Sequence, residues 1–566
     1  MRSLQQCLLD LDLVHLRAIA RYWDLDVIAG RERDVAFTLA ERMPVAAVVF
    51  DAWAALADQE RQAMEALIAA GGSMPTKIFS RRWGEIRPMG PGRMAREMPW
   101  EDPVSPAESL WYKGMISRAF EQASGESYEV TFVPAEIMEH LPAVDAPRPR
   151  IHIQSVESPD RELASGDQLA DDVCTLLIYL QNEDVRLGPD QTWPAHHWVR
   201  LDRQMRNHSP ERLALIRHIV QENGWTLVHE SGRVRPDPGS VSTWLQSSLQ
   251  EQRLTVGRVW RDSSTWNDLF HVPQLRPDNT AVWQNDPLEA RHAILKHLAC
   301  CEVDRWYAID DFVSQIREVD SDFQRPSGDY DKWYIRDATT NEYLKGFDSW
   351  DAVEGALIRY VLREPLYWLG WVNLGHCRPE GTCDRFSLTS VGASVVGSED
   401  APPEPEEQPL GLYTDFSVRV PASRRYERFQ LARIADWVAS GDLYVYRITP
   451  RSLERARQQG ITVTRVLDFL ARTTCRPVPR SVEAALTRWD VRGTEAQLVD
   501  ALVLRLSSEE LMDQVVTSPV SRELVLERLG PTLVIVRRQD WTRVIVALGK
   551  LGLLSDADSA EPPDIG

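Results

Sequence analysis

The sequence has no apolar run long enough to cross a bilayer: its longest, around residues 173–180, falls far short of the roughly 20 residues that a spanning helix needs. Nor does it open on a signal peptide, because Met1-Arg2-Ser3-Leu4-Gln5-Gln6-Cys7 leads straight into an acidic amphipathic stretch. No membrane partner is expected, and a cytoplasmic location is. Cysteine is scarce. The seven in 566 residues are odd in number and scattered, which suits reduced thiols and not a disulfide framework. Also missing is the glycine-rich loop ending in Gly-Lys-Ser/Thr that cradles nucleotide phosphates, since the single Gly-Lys pair, Gly549-Lys550, runs into Leu551. No Asp-Glu dipeptide stands ready to hold magnesium. A nucleotide-driven motor is therefore excluded, the chain is expected not to be an enzyme, and no cofactor is expected.

What is present is a long, well-balanced globular composition. With 43% apolar and 26% charged residues, a chain of this length can build three or four separate cores. The net charge of −20 argues against a protein that coats a polyanion with its whole surface. That average hides an asymmetry. Residues 415–492 hold fifteen arginines, no lysine and eight acids, so a polyanion meets this window first.

Apolar periodicity and turn residues predict an α+β, helix-rich multidomain protein: tandem winged-helix-like modules followed by a mixed α/β domain. The first module spans 1–145. Leu8, Leu11, Leu16 and Ile19 share one helical face, and a helix through 60–70 stops at Gly71-Gly72. Residues 77–96 place Lys77, Arg81, Arg82, Arg87, Arg93 and Arg96 against Glu85, interrupted by Pro88, Gly90, Pro91 and Gly92, the pattern of a recognition helix with a glycine-rich wing. Ser105-Pro106-Ala107-Glu108 then caps a further helix.

A Pro-rich joint at 146–150 leads to a second winged-helix-like module, 146–286, where a helix on Leu213, Ile216, Ile219 and Val220 closes at Asn223-Gly224 and a strand pair follows. The third, 287–397, is rich in tryptophan and closes on the strand Phe386-Ser387-Leu388-Thr389. An acidic Pro/Glu linker, 398–410, is the clearest boundary. Beyond it, 417–420 reads as a strand, 429–438 as a helix and 444–446 as a strand, and an acidic tail, expected to be disordered, occupies 555–566.

The stretch Val445-Tyr446-Arg447-Ile448-Thr449-Pro450-Arg451-Ser452-Leu453-Glu454-Arg455-Ala456 is a strand running into a helix with Thr449 as cap and Pro450 in the first position. Gly460 ends that helix; helices through 463–472 and 481–489, the segment 498–506 and a strand at 533–536 follow. Residues 411–554 thereby resemble the helicase-associated domain at the N-terminus of XPB-type helicases, and the preceding modules look like those of bacterial helicase-associated proteins that carry this domain without a motor. The resemblance implies contact with DNA and with helicase or other nucleic-acid machinery proteins, in repair or transcription. A protein-interaction scaffold is the alternative.

Arginine binds phosphate in a bidentate fork and stays charged, so the candidate contacts are Arg424, Arg425, Arg428, Arg447, Arg451 and Arg455. The competing reading is a solvated surface whose arginines pair with acids. Arg81, Arg82, Arg87 and Arg93 are candidates for groove and wing contacts, against a degenerate winged helix used for protein contact. The Gly-x-Gly-x-x-Ala at 90–95 lacks the strand and helix that a dinucleotide loop requires. Cys377 and Cys383 with His376, or His196-His197, have spacings that suit buried thiols and core histidines better than a metal. Trp306, Trp333, Trp350, Trp368 and Trp371 suit a core better than base stacking. Asp329, Asp331, Asp337 and Glu354 form at best a weak nuclease set.

Overall fold

The computed structural model describes residues 3–555 except 27–29, 124–125, 144–149, 189–192, 279–282, 284, 378–381, 399–402, 405, 407 and 494–500. Almost all of the expected tail, most of the 146–150 joint and part of the acidic linker lie outside the described residues. The protein is α+β and helix-rich, with its strands in small separate sheets. It forms two compact units. The first takes Met1–Tyr413, Ser417–Ile448 and Thr473–Cys475; the second takes Thr414–Phe416, Thr449–Arg472 and Arg476–Gly566.

In the first unit, the single N-terminal helix expected from Leu8 to Ile19 is two helices, Leu4–Leu9 and Leu13–Tyr22. Asp12 makes the break: its carboxylate accepts from the His15 backbone N–H at 2.9 Å, and a side chain that caps one helix cannot sit inside another. Leu8, Leu16 and Ile19 still reach one core with Leu39, Val49, Leu67 and Leu110. Helix Asp58–Ala69 ends where expected, with Gly71 and Gly72 at φ of 83° and 91°.

The wing expected near 84–96 is elsewhere. Pro88 and Pro91 withhold donors that a hairpin ladder needs, and Pro91 instead starts the short helix Pro91–Glu97. The hairpin is Ser117–Ala123 with Glu126–Phe132, and strand Ser73–Pro75 pairs with its second arm. In the second segment, helix Pro210–Glu222 is capped by Ser209 and followed by the expected strand pair, Thr226–Val228 and Val234–Pro236. In the third, Trp306–Ala308 pairs with the second arm of the hairpin Val372–His376 and Arg385–Leu388, so the strand order of the first sheet recurs. Arg161–Leu163 extends it on the far side.

All five tryptophans of the third segment are buried, which makes them core volume. Trp371 meets Trp260 edge-on at 5.6 Å and lies flush against Gly257 in helix Leu249–Asp262, where an added Cβ would come within 2.6 Å of its ring. The last part of the first unit is a four-stranded antiparallel sheet in the order Gly411–Leu412, Ser417–Pro421, Leu443–Arg447, Asp436–Ala439. The helix expected over 429–438 is shorter and earlier, Arg425–Leu431. Trp437 and Val438 belong to the edge strand, as aromatic and β-branched residues that suit a pleated surface.

In the second unit, Thr449 caps helix Pro450–Gln458 and Gly460 follows it at φ 74°. Helix Val463–Thr474, whose last two residues count with the first unit, and helix Arg480–Arg492 come next. The 498–506 segment supplies strand Ala501–Arg505, which pairs with Leu533–Arg537, itself paired with Val525–Gly530. Val534 and Val536 pack with Met512 and Val515 of helix Glu509–Thr517 and with Val544 and Leu548 of helix Trp541–Lys550.

Alanine in place of a mid-helix glycine ordinarily stabilises by about 1 kcal/mol. At Gly257 the tryptophan ring reverses the sign, and Gly257→Ala is expected to cost about 1–3 kcal/mol of overpacking, read as a lower denaturant midpoint. Glu364 offers a pH test. Burial, with Glu211 nearby, raises its pKa to about 7 from an ordinary 4.5. The folded chain therefore holds a proton that the unfolded chain has released between those values, and stability falls as pH rises from about 4.5 to 7. Glu364→Gln is expected to raise the melting temperature at pH 8 and to change it little at pH 4.5.

Candidate nucleic-acid interface

Two of the six C-terminal candidate arginines are committed inside the first unit. Helix Arg425–Leu431 buries Arg425 and Arg428. Arg425 Nε donates to Asp171 Oδ1 at 2.7 Å and Nη1 to Gln252 Oε1 at 2.9 Å. Arg428 Nη2 donates to the Asp171 carbonyl at 2.5 Å, and its guanidinium lies 3.8 Å from the centre of the Tyr444 ring. Burial by itself would lower the Arg425 pKa, but Asp171 and Asp167 outweigh it and the pKa rises. A phosphate cannot reach either residue, so both leave the interface set. Arg424 is partly buried and pairs with Glu427 at 2.7 Å. Arg447 is exposed at the end of its strand, opposite Asp436 in register.

The Asp171 site is larger than one pair. Arg206 Nη1 also donates to Asp171 at 3.2 Å, while the neighbouring Asp172 takes Arg212 and the Arg206 backbone N–H. Both aspartates are fully buried in helix Gln168–Asn182.

The N-terminal candidates divide in the same way. Arg81 Nη1 donates to both carboxylate oxygens of Asp322 at 2.9 and 3.0 Å, and the side chain packs on Tyr330 and Phe347. Arg87 grips the buried Glu108 through Nε and Nη2 at 2.8 and 2.7 Å. Burial would raise the Glu108 pKa, yet Arg87 and the backbone N–H of Val104 hold it below the usual value. Arg82 is exposed beside Trp83, and Arg93 is exposed and paired with Glu97 at 2.8 Å. Helix Pro106–Tyr112, which precedes the hairpin as a recognition helix would, buries Ala107 through Leu110 and Tyr112. It has no free face to lay in a groove.

The second unit carries the accessible cations. Helix Pro450–Gln458 buries Ser452, Leu453 and Ala456 and leaves Arg451 and Arg457 in solvent, with Arg455 half-buried. Val466 and Leu470 turn inward from the next helix while Arg465 points out, and Val482 and Leu486 do so from the third while Arg480 points out. Among the described residues, no carboxylate pairs with Arg451, Arg457, Arg465 or Arg480. The pattern was legible as helices with one apolar face and arginine on the other.

Sequence reasoning missed a smaller cationic site in the first unit. On the strand pair at 226–236, Arg233, with Arg186 from the preceding segment, lies at 3.0 Å from Asp184. These two and Arg235 together hold the Asp184 pKa down, the Arg186 hydrogen bond being the largest cause. Two guanidinium groups thus share one carboxylate beside the exposed Leu227 and Val228. The alternation Arg233-Val234-Arg235 was the available signal.

The weaker chemical sets do not assemble. Asp329 pairs with Lys77 at 2.8 Å, Asp337 accepts from the Thr339 and Thr340 backbones, and Glu354 is buried against Arg325. His197 bonds to Tyr179 at 2.8 Å. Among the described residues, no three His, Cys, Asp or Glu side chains come together as metal ligands.

Residues 412–530 match the family model of the helicase conserved C-terminal domain. This span includes the 412–447 sheet, the arginine-bearing helices and the first two strands of the second unit's sheet. No curated protein matches the chain.

The committed and the accessible arginines predict opposite phenotypes. Asp171→Ala would strand buried guanidinium groups and is expected to cost about 3–5 kcal/mol. Arg451→Ala and Arg480→Ala, which remove solvated side chains, are expected to stay within about 0.5 kcal/mol of the parent. Urea unfolding of the three variants checks both.

Proposed function

We propose that this chain is a non-catalytic accessory protein of nucleic-acid machinery that binds DNA through the arginine-bearing helices of its second unit, in repair or transcription. The observation that carries this reading is the coincidence of the helicase-domain match, 412–530, with exposed arginines that have no carboxylate partner among the described residues. Guanidinium groups left unpaired on a surface are available to phosphate. The likeness of 411–554 to the N-terminal domain of XPB-type helicases points the same way.

The absence of motor function is supported by architecture as well as by the missing phosphate loop. A motor half is built on a mainly parallel sheet that holds nucleotide beyond its strand ends. Every strand pairing described within 411–537 is antiparallel. No ATP hydrolysis above background is expected, with or without DNA.

The helix-then-hairpin order of the first unit is that of a winged helix, but its candidate groove-reading arginines, Arg81 and Arg87, are consumed internally. That observation favours protein contact for the first unit, including docking on a separately encoded helicase. A scaffold with no DNA contact is the second reading.

Binding of the full chain to single-stranded, duplex and forked DNA across a salt series separates the two. Affinity is expected to fall steeply with salt, and a variant with Arg451, Arg457, Arg465 and Arg480 all changed to Ala is expected to lose roughly three units of the log–log slope. Identical slopes, or no binding by the parent at low salt, would leave the scaffold.

A further inference from the structure

Within the first unit, helices Ala195–Asp202 and Pro210–Glu222 border a groove of about 440 Å³. Its walls are mostly apolar: Leu213 and Ala214 from one helix, Trp198 and the exposed Val199 from the other. At one end, Asp202 and His208 pair with each other at 3.0 Å. At the other is Arg217.

Arg217 differs from four of the five arginines buried among the described residues of the unit; the fifth, Arg428, is held by the Asp171 carbonyl and the Tyr444 ring. The buried Arg212, Arg291, Arg325 and Arg425 each have a carboxylate, from Asp172, Asp268, Glu354 and Asp171 respectively. Arg217 is half-buried and, among the described residues, has none. Burial lowers its pKa. Its guanidinium lies 4.9 Å from the centre of the Trp198 ring, and Trp198 stacks on Trp193 at 4.6 Å and 14°. A guanidinium resting on an aromatic ring still has its in-plane N–H donors to offer, and these match a carboxylate fork.

We infer that this groove is a docking site for a peptide segment of a partner protein, one that carries a carboxylate beside aliphatic side chains. The carboxylate takes Arg217, and the aliphatic groups cover Leu213, Ala214 and Val199. This is the usual chemistry of an amphipathic segment in a groove between helices. A nucleic-acid strand fits less well. Trp198 already stacks on Trp193 and carries the guanidinium, which leaves little platform for a base, and a single unpaired cation gives little hold on a phosphate backbone. The site is independent of the DNA reading of the second unit.

The probe is a fluorescein-labelled Gly-Leu-Leu-Asp-Leu-Leu-Gly peptide, with a version carrying Asn for Asp, titrated with the full chain by anisotropy. The Asp peptide is expected to bind saturably and the Asn peptide at least about tenfold more weakly, a difference of 1.4 kcal/mol. In Arg217→Gln the two peptides are expected to bind alike. Val199→Asp, at an exposed position that folding does not use, is expected to abolish binding with an unchanged unfolding midpoint, which keeps the test clear of misfolding. Equal binding of both peptides to the parent chain would overturn the proposal. So would the lack of saturable binding at millimolar concentration, or displacement of the peptide by an oligothymidine strand.

Discussion

Two adjacent carboxylates, Asp171 and Asp172, lie fully buried near the start of helix Gln168–Asn182, and much of the first unit is arranged to neutralise them. Their partners come from two distant parts of the sequence, Arg206 with Arg212 and, more than 200 residues on, Arg425. A buried charge without its partner is far more costly than a buried pair is stabilising. The constraint is thus one of arrangement. Helix Arg425–Leu431 and the sheet around it must be seated on helix Gln168–Asn182, because elsewhere both ions would be stranded. Cys174, Gln181 and Asn182 add contacts to the backbone of the same region.

This constraint sorts the arginines. An arginine-rich window reads as one electropositive patch in sequence, but the fold spends part of it on internal neutralisation and exposes the rest. Arg425 and Arg428 face inward, whereas Arg451, Arg457, Arg465 and Arg480 face water. The N-terminal basic stretch divides likewise, with Arg81 and Arg87 engaged by Asp322 and Glu108. Local charge density is therefore a poor guide to a binding surface unless the acids that will meet it are known, and those acids lie 21 to more than 240 residues away.

The features read correctly from sequence are those fixed by neighbouring residues. Thr449-Pro450, Ser105-Pro106 and Ser209-Pro210 start helices because cap and first position are adjacent. Gly71-Gly72 and Gly460 end them because a left-handed residue tolerates little else. The tryptophans of the third segment are core, as their spacing suggested. The misreadings arose where two patterns competed. Leu8 to Ile19 keeps a helical period across a capping aspartate, and 429–438 keeps one across a change from helix to edge strand. The wing was misplaced because glycine and proline mark turns of many kinds, while the true hairpin at 117–132 is defined by pairing that no local signal announces. Of the exposed arginines of the second unit only Arg451 was among the sequence candidates; Arg457, Arg465 and Arg480 were missed, although helical periodicity sets them opposite the apolar face. The cation pair facing Asp184 and the lone Arg217 were not legible, since each depends on which acids are, or are not, nearby in space.

The sharing of residues 417–448 with the first unit also bears on how the protein is made. Helix Gln168–Asn182 emerges during synthesis about 250 residues before Arg425, the partner of Asp171. At roughly 5–20 residues per second, translation leaves that carboxylate waiting for tens of seconds. Through that interval the nascent first unit has Arg206 but not Arg425 to set against Asp171, and its last layer can close only after the ribosome has passed the acidic linker. A truncation placed at that linker, the boundary most visible in the sequence, would make the interval permanent.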